Sequence, residues 1–316
     1  MLYQLLPFFL AARTAVMNND WKYGPEYTFY GHVKMITALD SDEGLLMGNK
    51  MIFNLKCRPR SNDTLSCRFE DTKIAKIVPG SYDSSGNERS EEYKTMGVMG
   101  KIFEIRFNEQ GIDSYVIDKT DPPLPAWCLD MTRLVGNQLH VGANIADIGT
   151  STYRALENFT TGECEVDFSV SRKAKKFVSS DEKNYDRGFE LVALENLGKL
   201  RDGSIEIEKK RDVDDCLLCA DYFFGTRYTY GIVFRDVFTK LKSSISRLFV
   251  SKTSFVSETT NEVELFGEDR KRQGDSLDHI MISLESVLPA GEALPVLRNP
   301  VDMEVIANRP GSPNVQ

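Results

Sequence analysis

The sequence predicts a mainly β fold: a large antiparallel barrel, made by one strongly curved sheet, wrapped around a central amphipathic helix. Three observations predict it. Apolar residues recur with a period of two along most of the chain, turn-forming residues punctuate those runs, and one segment alone, about 124–140, switches to a helical period. With 316 residues, 41% of them hydrophobic and 27% charged, the chain can bury a sizeable core. The 39 Lys and Arg against 47 Asp and Glu give a net charge of −8, which excludes a uniformly basic nucleic-acid binder. No apolar run reaches the 18 or more residues of a membrane-spanning helix.

The elements follow in order. Leu2 to Ala12 is apolar except for Gln4, too short to span a bilayer, and lies at the extreme N-terminus. Residues 1–16 therefore read as a secretory signal peptide. A positive n-region is missing and Arg13 spoils the cleavage pattern, so an apolar first strand is the competing reading. Residues 17–307 form the domain. Within it, Tyr27, Phe29, Gly31, Val33 and Met35 share one face of a strand, and Thr28, Tyr30, His32 and Lys34 share the other. Cys57 and Cys67 bracket a polar hairpin loop and can face each other across it. The sequons at Asn62 and Asn158 are the expected glycosylation sites of a secreted chain. Phe103, Ile105 and Phe107 alternate with Glu104 and Arg106, and Asn108 to Gly111 turns this strand into Ile112–Ile117.

Pro125 then opens the helical segment, where its missing N–H costs little. Trp127, Cys128, Met131, Leu134, Val135 and Leu139 make one apolar stripe, and Gly142 is a plausible stop. A Trp-bearing stripe must bury against sheet, and a curved sheet around the helix gives it the best seat. Trp127, Met131, Leu134 and Val135 are thus the expected helix core. Farther on, Cys164, Val166, Phe168 and Val170 alternate with polar residues, as do Ile205 and Ile207 with Glu206 and Glu208, and Ile280, Ile282 and Leu284 with their neighbours. One-sided burial of this kind is antiparallel. Residues 193–200 suggest a short helix or turn. Residues 81–93 and 270–276 read as surface loops, and 308–316, rich in Gly, Pro, Ser and Asn, as a disordered tail.

Chemistry is sparse. No P-loop, GxGxxG, GxSxG or HExxH occurs, and Glu206/Glu208 sit two apart on a wet strand face, so no catalytic residue is expected and the chain does not read as an enzyme. Three widely scattered histidines, His32, His140 and His279, argue against a histidine-based metal centre, and no cofactor is expected. The six cysteines favour structural disulfides in an oxidising compartment. The CxxC at Cys216–Cys219 lacks the second pair that zinc would want. Two basic stretches remain. Arg172, Lys173, Lys175 and Lys176 form one; Arg235, Lys240, Lys242, Arg247 and Lys252 form the other. They read either as solvated faces or as a docking surface for an acidic partner. Arg270-Lys271-Arg272 is a weak processing signal, with Asp269 ahead of it.

Several stretches carry a family likeness. Trp21-Lys22-Tyr23-Gly24-Pro25-Glu26-Tyr27-Thr28-Phe29, the hairpin Lys101–Phe107 with Gly111-Ile112 and Val116-Ile117-Asp118, and Pro125-Ala126-Trp127 followed by Leu134 to Leu139 appear in that order. Gly162-Glu163-Cys164-Glu165-Val166 and Cys216 with Tyr222-Phe223-Phe224-Gly225 follow. Together, from about Trp21 to about Val287, they resemble the N-terminal region of vitellogenins and other large lipid transfer proteins. The resemblance implies a β-barrel closed around a central helix and a Cys164–Cys216 bridge. It also implies a secreted, extracellular lipid-transport or yolk-precursor module acting by docking. The implied partner is a lipoprotein-receptor-type protein with acidic repeats that favour Lys. By charge, the docking residues would be Arg172, Lys173, Lys175, Lys176, Lys240, Lys242 and Arg247. The helical arch and lipid-cradling sheets that follow in the family have no counterpart within these residues. The chain therefore reads as a truncated or solitary version, with lipid carried only alongside further domains. The alternative reading is a stand-alone extracellular lipid-binding β-barrel.

Overall fold

The computed structural model describes residues 2–14, 19–40, 46–78, 92–97, 100–119, 123–174, 188–200, 203–219, 238–267 and 269–306. The 81–93 loop lies almost wholly outside these residues, and the 308–316 tail wholly so. The alternating segments become strands: β1 (Leu2–Leu6), β2 (Leu10–Thr14), β3 (Pro25–Leu39), β4 (Leu46–Pro59), β5 (Thr64–Ile77), β6 (Lys94–Thr95), β7 (Ile102–Asn108) and β8 (Gly111–Asp118). The helix α1 (Ala126–Gly136) follows. Then come β9 (Ser151–Phe159), β10 (Gly162–Ala174), β11 (Phe189–Ala193), β12 (Gly203–Cys219), β13 (Phe238–Ser251), β14 (Phe255–Phe266), β15 (Arg272–Pro289) and β16 (Pro300–Met303).

Thirteen strands form one antiparallel sheet in the order β16-β8-β7-β5-β4-β3-β15-β14-β13-β12-β10-β9, with β6 attached to β5. Its centre is the pairing of the two longest-range partners, β3 and β15, which run together from Pro25↔Pro289 to Leu39↔Gly274. Along most of this seam the strands alternate, with a register shift between Leu284 and Ser286 of β15. Tyr27, Phe29 and Val33 of β3 and Ile280, Ile282 and Leu284 of β15 are buried on the inner face. His32 and His279 fall on the outer one.

The expected closed barrel does not form: the sheet is neither closed nor strongly curled, and its end strands β16 and β9 do not pair with each other. The reason lies in the edges and in the size of the filling. β16 offers four residues and begins with Pro300, while the outer side of β9 is exposed and carries the ion-paired Arg154. A closed sheet of that many strands would also surround a lumen far wider than a helix about 10–12 Å across can fill. A second departure is local. Residues 272–276, expected in a loop, are already strand. The small inner-face residues Gly274 and Ser276 hid the period.

The helix is nonetheless buried. Met131, Leu134, Val135 and Leu139 are at most 2% exposed, and half-buried Trp127 packs against the same core. An 11-residue helix with no side-chain N-cap would not persist alone; tertiary contacts hold it. Tyr115 of β8 donates its hydroxyl to the Arg133 carbonyl (3.1 Å), and Arg133 Nε donates to the Glu304 carbonyl (2.8 Å). After Gly136 the chain tightens into a 3-10 turn, Asn137–Leu139, and His140 leaves it extended, before Gly142 is reached.

The leader-like segment is placed as β1 and β2, which join β11 in a separate three-stranded sheet. Leu5, Leu6 and Leu10 are fully buried there. Tyr27 donates its hydroxyl to the Gln4 carbonyl at 2.6 Å, and Tyr3 stacks on Trp21.

Candidate functional site

The two faces of the large sheet carry different chemistry, and parity decides which residue goes where. On the inner face, β12 runs Ile205, Ile207, Lys209, Arg211, so two cations follow two aliphatics into the interior. β9 places Glu157 beside Phe159 with the same parity. Lys209 Nζ donates to Glu157 Oε1 at 2.6 Å, and Arg211 Nη2 donates to Glu157 Oε2 at 2.8 Å. The Arg211 guanidinium lies 3.6 Å from the Phe159 ring centroid and donates to the hydroxyls of Ser244 and Ser246 on β13. Ser246 meets Thr259 of β14, and Thr259 and Ser257 both donate to Gln138 Oε1. A continuous polar chain thus joins β9, β12, β13 and β14 to the C-terminal turn of the helix.

Charge balance inside this chain follows from geometry. Burial alone would raise the Glu157 pKa, but Lys209 and Arg211 bring it down to about 2, so the carboxylate stays ionised. His140 lies 3.9 Å from Glu157 Oε1. Burial, reinforced by Lys209, pushes its pKa down to about 3, so the imidazole stays neutral. Burial lowers the pKa values of Lys209 and Arg211 and the Glu157 carboxylate opposes that shift, with all three side chains about 1% exposed. Both Glu157 oxygens accept from buried cations, so the cluster clasps β9 to β12. Sequence reading missed it, although the strand parity of Lys209 and Arg211 with Ile205 and Ile207 pointed inward.

The outer face carries the expected docking residues, but not as one basic patch. Arg172 does not belong there. It shares the inward parity of Val166, Phe168 and Val170, and its guanidinium donates to the carbonyls of Ile145, Ile148 and Leu197. It holds together the turns after the helix and after β11. Lys173 is exposed and paired with Glu206 at 2.8 Å. Arg247 pairs with Glu208 at 2.8 Å and reaches Glu258 at 3.8 Å. Lys240, opposite Glu264, and Lys242, at a bulge in β13, are exposed. Lys175, Lys176 and Arg235 lie outside the described residues. Beyond Arg247 the ladder continues: His279 Nε2 is 3.5 Å from Glu258 Oε2, and His279 Nδ1 is 3.3 Å from His32 Nε2. Toward the β9 edge, Arg154 contacts Glu165, Asp167, Asp212 and Asp215. Among the described residues, no group of three or more His, Cys, Asp and Glu is arranged to hold a metal ion.

The covalent sites are plain. Cys57–Cys67 and Cys164–Cys216 are disulfides, with Cα separations of 4.1 and 3.9 Å. Cys128 is a buried free thiol whose pKa burial pushes up to about 12. Asn62 is exposed in the β4–β5 turn and Asn158 is exposed on β9, while Thr64 and Thr160 of the two sequons are buried. Arg270-Lys271-Arg272 forms a tight hairpin closed by Gly267–Lys271 backbone bonding, not an extended protease substrate. Beside the helix, Phe69, Phe103, Ile117, Leu124 and Cys128 line a recess of about 20 Å³, room for a water and not for an acyl chain.

The model of the vitellogenin N-terminal domain matches residues 21–265. Vitellogenin-2 of Periplaneta americana is 23% identical over 96% of this chain and 17% of its own length. Vitellogenin-1 of Solenopsis invicta is 22% identical over 55% of this chain and 11% of its own. The chain thus spans under a fifth of these relatives. A solved structure described as lipid–protein interactions in lipovitellin superposes with a TM-score of 0.59 at 10% identity. It covers 92% of this chain and 28% of its own, a likeness of fold.

Proposed function

This chain belongs to the vitellogenin N-terminal domain family, a family of lipid transport and storage, and from that premise we propose that it is a secreted lipid-transport module that acts by docking a partner rather than by catalysis. The observation that carries this reading is the division between the two faces. The inner face is covered by α1, the Glu157 clasp and the three-stranded sheet, and among the described residues the recess beside the helix is too small for lipid. Interaction is left to the outer face, where Lys173, Lys240 and Lys242 are exposed on β10 and β13. A protein with acidic, lipoprotein-receptor-type repeats is the partner their charge suits. Arg172 is not among the docking residues, because its guanidinium is consumed by three carbonyls. Lipid enters only with further domains. The accessible Asn62 and Asn158 and the two disulfides support an extracellular setting.

The experiment is a binding titration against an acidic receptor repeat at low and high salt. Docking through exposed lysines gives an affinity that falls about tenfold or more as the Debye length shortens from about 10 Å toward 3 Å, mainly through a slower on-rate. Lys240→Glu with Lys242→Glu reproduces that loss at low salt. Affinity unmoved by salt overturns the electrostatic mechanism.

A further inference from the structure

The outer face of β4 and β5 lies beneath a connection that the docking reading does not use. Between β15 and β16, residues 290–299 cross it as a strap. The strap is tied at both ends. Ala290 N donates to the Gly24 carbonyl at 2.9 Å, and Asn299 N donates to Asp118 Oδ1 at 2.6 Å. Midway, Arg60 Nη2 donates to the Pro295 carbonyl at 2.6 Å. Under Leu294 and Pro295 lies a recess of about 10 Å³, lined by Glu26, Lys56, Arg58, Ser66 and Arg68. Strand register builds it. Lys56 stands opposite Arg68 and Arg58 opposite Ser66, on either side of the Cys57–Cys67 pair and on the other face of the sheet.

Three of the four cations at this end are matched. Lys56 lies 3.2 Å from Glu26 and 3.0 Å from Glu70, Arg68 lies 2.7 Å from Glu70, and Arg60 lies 2.5 Å from Glu104. Arg58 is not matched. It is 5% exposed, spends Nη2 on the Tyr23 carbonyl at 2.8 Å, and leaves Nε without a hydrogen-bond partner. Among the described residues it forms no ion pair; Glu26 and the exposed Glu292 attract it only from farther off, and Arg68 repels it. A buried guanidinium with no counter-charge and an idle donor is costly, and an anion beside it removes both costs.

We propose that the recess under the strap is a chloride site, with Arg58 as its counter-charge and the Ser66 hydroxyl as a second donor. Its size selects the ligand. A space of about 10 Å³ takes one particle about as large as a water, so a monatomic anion fits and a phosphate or a carboxylate does not. Glu26, the one carboxylate lining the recess, is held by Lys56 at 3.2 Å and Arg68 at 3.6 Å, which leaves Arg58 to set the local field. The bound ion touches both sheet and strap. It therefore fastens the connection that runs from central strand β15 to edge strand β16. A single water in the same recess is the rival occupant.

Two measurements on the full chain test the site. Crystals grown in sodium bromide show an anomalous-scattering peak in the recess beside Arg58 Nε. Urea midpoints are then compared at equal ionic strength in sodium chloride and in sodium gluconate, whose anion is too large for the recess. At about 0.2 M chloride and a dissociation constant of about 10 mM, the folding equilibrium shifts about twentyfold toward the native state. Arg58→Gln removes most of that shift, whereas Lys271→Gln, which deletes an exposed cation of the β14–β15 hairpin, keeps it. Should the circular dichroism of Arg58→Gln depart from the parent's, the bromide peak of the parent decides alone. A recess that holds only water in bromide, or an Arg58→Gln chain with the parent's full chloride dependence, overturns the site.

Discussion

Glu157 holds two cations with its two oxygens inside the fold, and that arrangement sets how the molecule responds to acid. In the unfolded chain, His140 takes up a proton below about pH 6.5. In the folded chain it stays neutral down to about pH 3. Between those values the unfolded state holds more protons, so stability rises with pH and is lost on acidification. Glu157 acts in the same direction but lower. Its stabilisation is whole above the unfolded value of about 4.3 and fades as pH falls toward about 2. The interval from pH 6.5 to 4.5 therefore belongs mainly to His140, whose protonation costs up to about 2 kcal/mol across it, while half-buried His32, its pKa also lowered by burial and by His279, acts in the same direction. Urea midpoints at the two pH values measure this. His140→Gln removes most of the difference, and a variant with the parent's pH slope refutes the assignment. These residues were only partly legible in sequence. Extending the period of Ile205 and Ile207 would have put Lys209 and Arg211 on the inner face, but nothing local marks Glu157 as their partner 52 and 54 residues upstream. The same holds for His32 and His279. Their placement as diagonal neighbours on β3 and β15 is invisible until the register is known.

At the scale of elements, the helix shows what periodicity can and cannot convey. Its apolar stripe announced both its existence and its buried side, and Met131, Leu134 and Val135 do pack into the core. Its end was not legible. Gly142 looked like the stop, yet the helix closes at Gly136, where it passes close to another side chain rather than needing an unusual backbone. A Cβ at Gly136 would lie 2.6 Å from the ring and hydroxyl of Tyr115, which is fully buried and bonded to the Arg133 carbonyl. Gly136→Ala therefore gains helix propensity of about 1 kcal/mol but forces Tyr115 out of its seat, at about 1–3 kcal/mol. The expected net result is a loss of stability, which adding Tyr115→Phe relieves only in part, because the ring edge still collides once the hydroxyl is gone. Thermal unfolding of the single and double variants checks this, and a stabilised single variant shows that the ring can yield. Gly142, by contrast, adopts φ +88° beside the Glu157 side chain, a requirement of the clasp and not of the helix. The disulfides divide similarly. Cys57–Cys67 was legible because a hairpin announces its own cross-strand pairs. Cys164–Cys216 joins β10 to β12 across a shifted register, and only family likeness pointed to it.

For the whole molecule, alternation correctly indicated antiparallel sheet with one wet face, and the step from there to a closed barrel failed. Period two fixes which side of a strand is buried, not whether the first and last strands meet; closure depends on edges such as Pro300–Met303 and on what fills the interior. With the large sheet open, part of its inner face needs covering by something else, and the three-stranded sheet supplies it. Phe9 of the β1–β2 turn packs near Phe255 of the main sheet, with ring centroids 6.4 Å apart, and Leu5, Leu6 and Leu10 bury their side chains completely. β11 pairs with β2 throughout, and Phe8 and Phe9 carbonyls accept from Asn196 and Leu194. A chain begun at Met17 lacks both first strands, leaving β11 without its sheet partner and uncovering Phe255. Three fully buried leucine side chains at about 1.5–3 kcal/mol each put the loss near 5 kcal/mol or above. That is comparable with the whole stability of an ordinary domain. The shortened chain is accordingly expected to show a far lower urea midpoint, or to bind a hydrophobic dye as a partly folded state. Equal midpoints for the two chains would mean that β1 and β2 rest on the fold without supporting it.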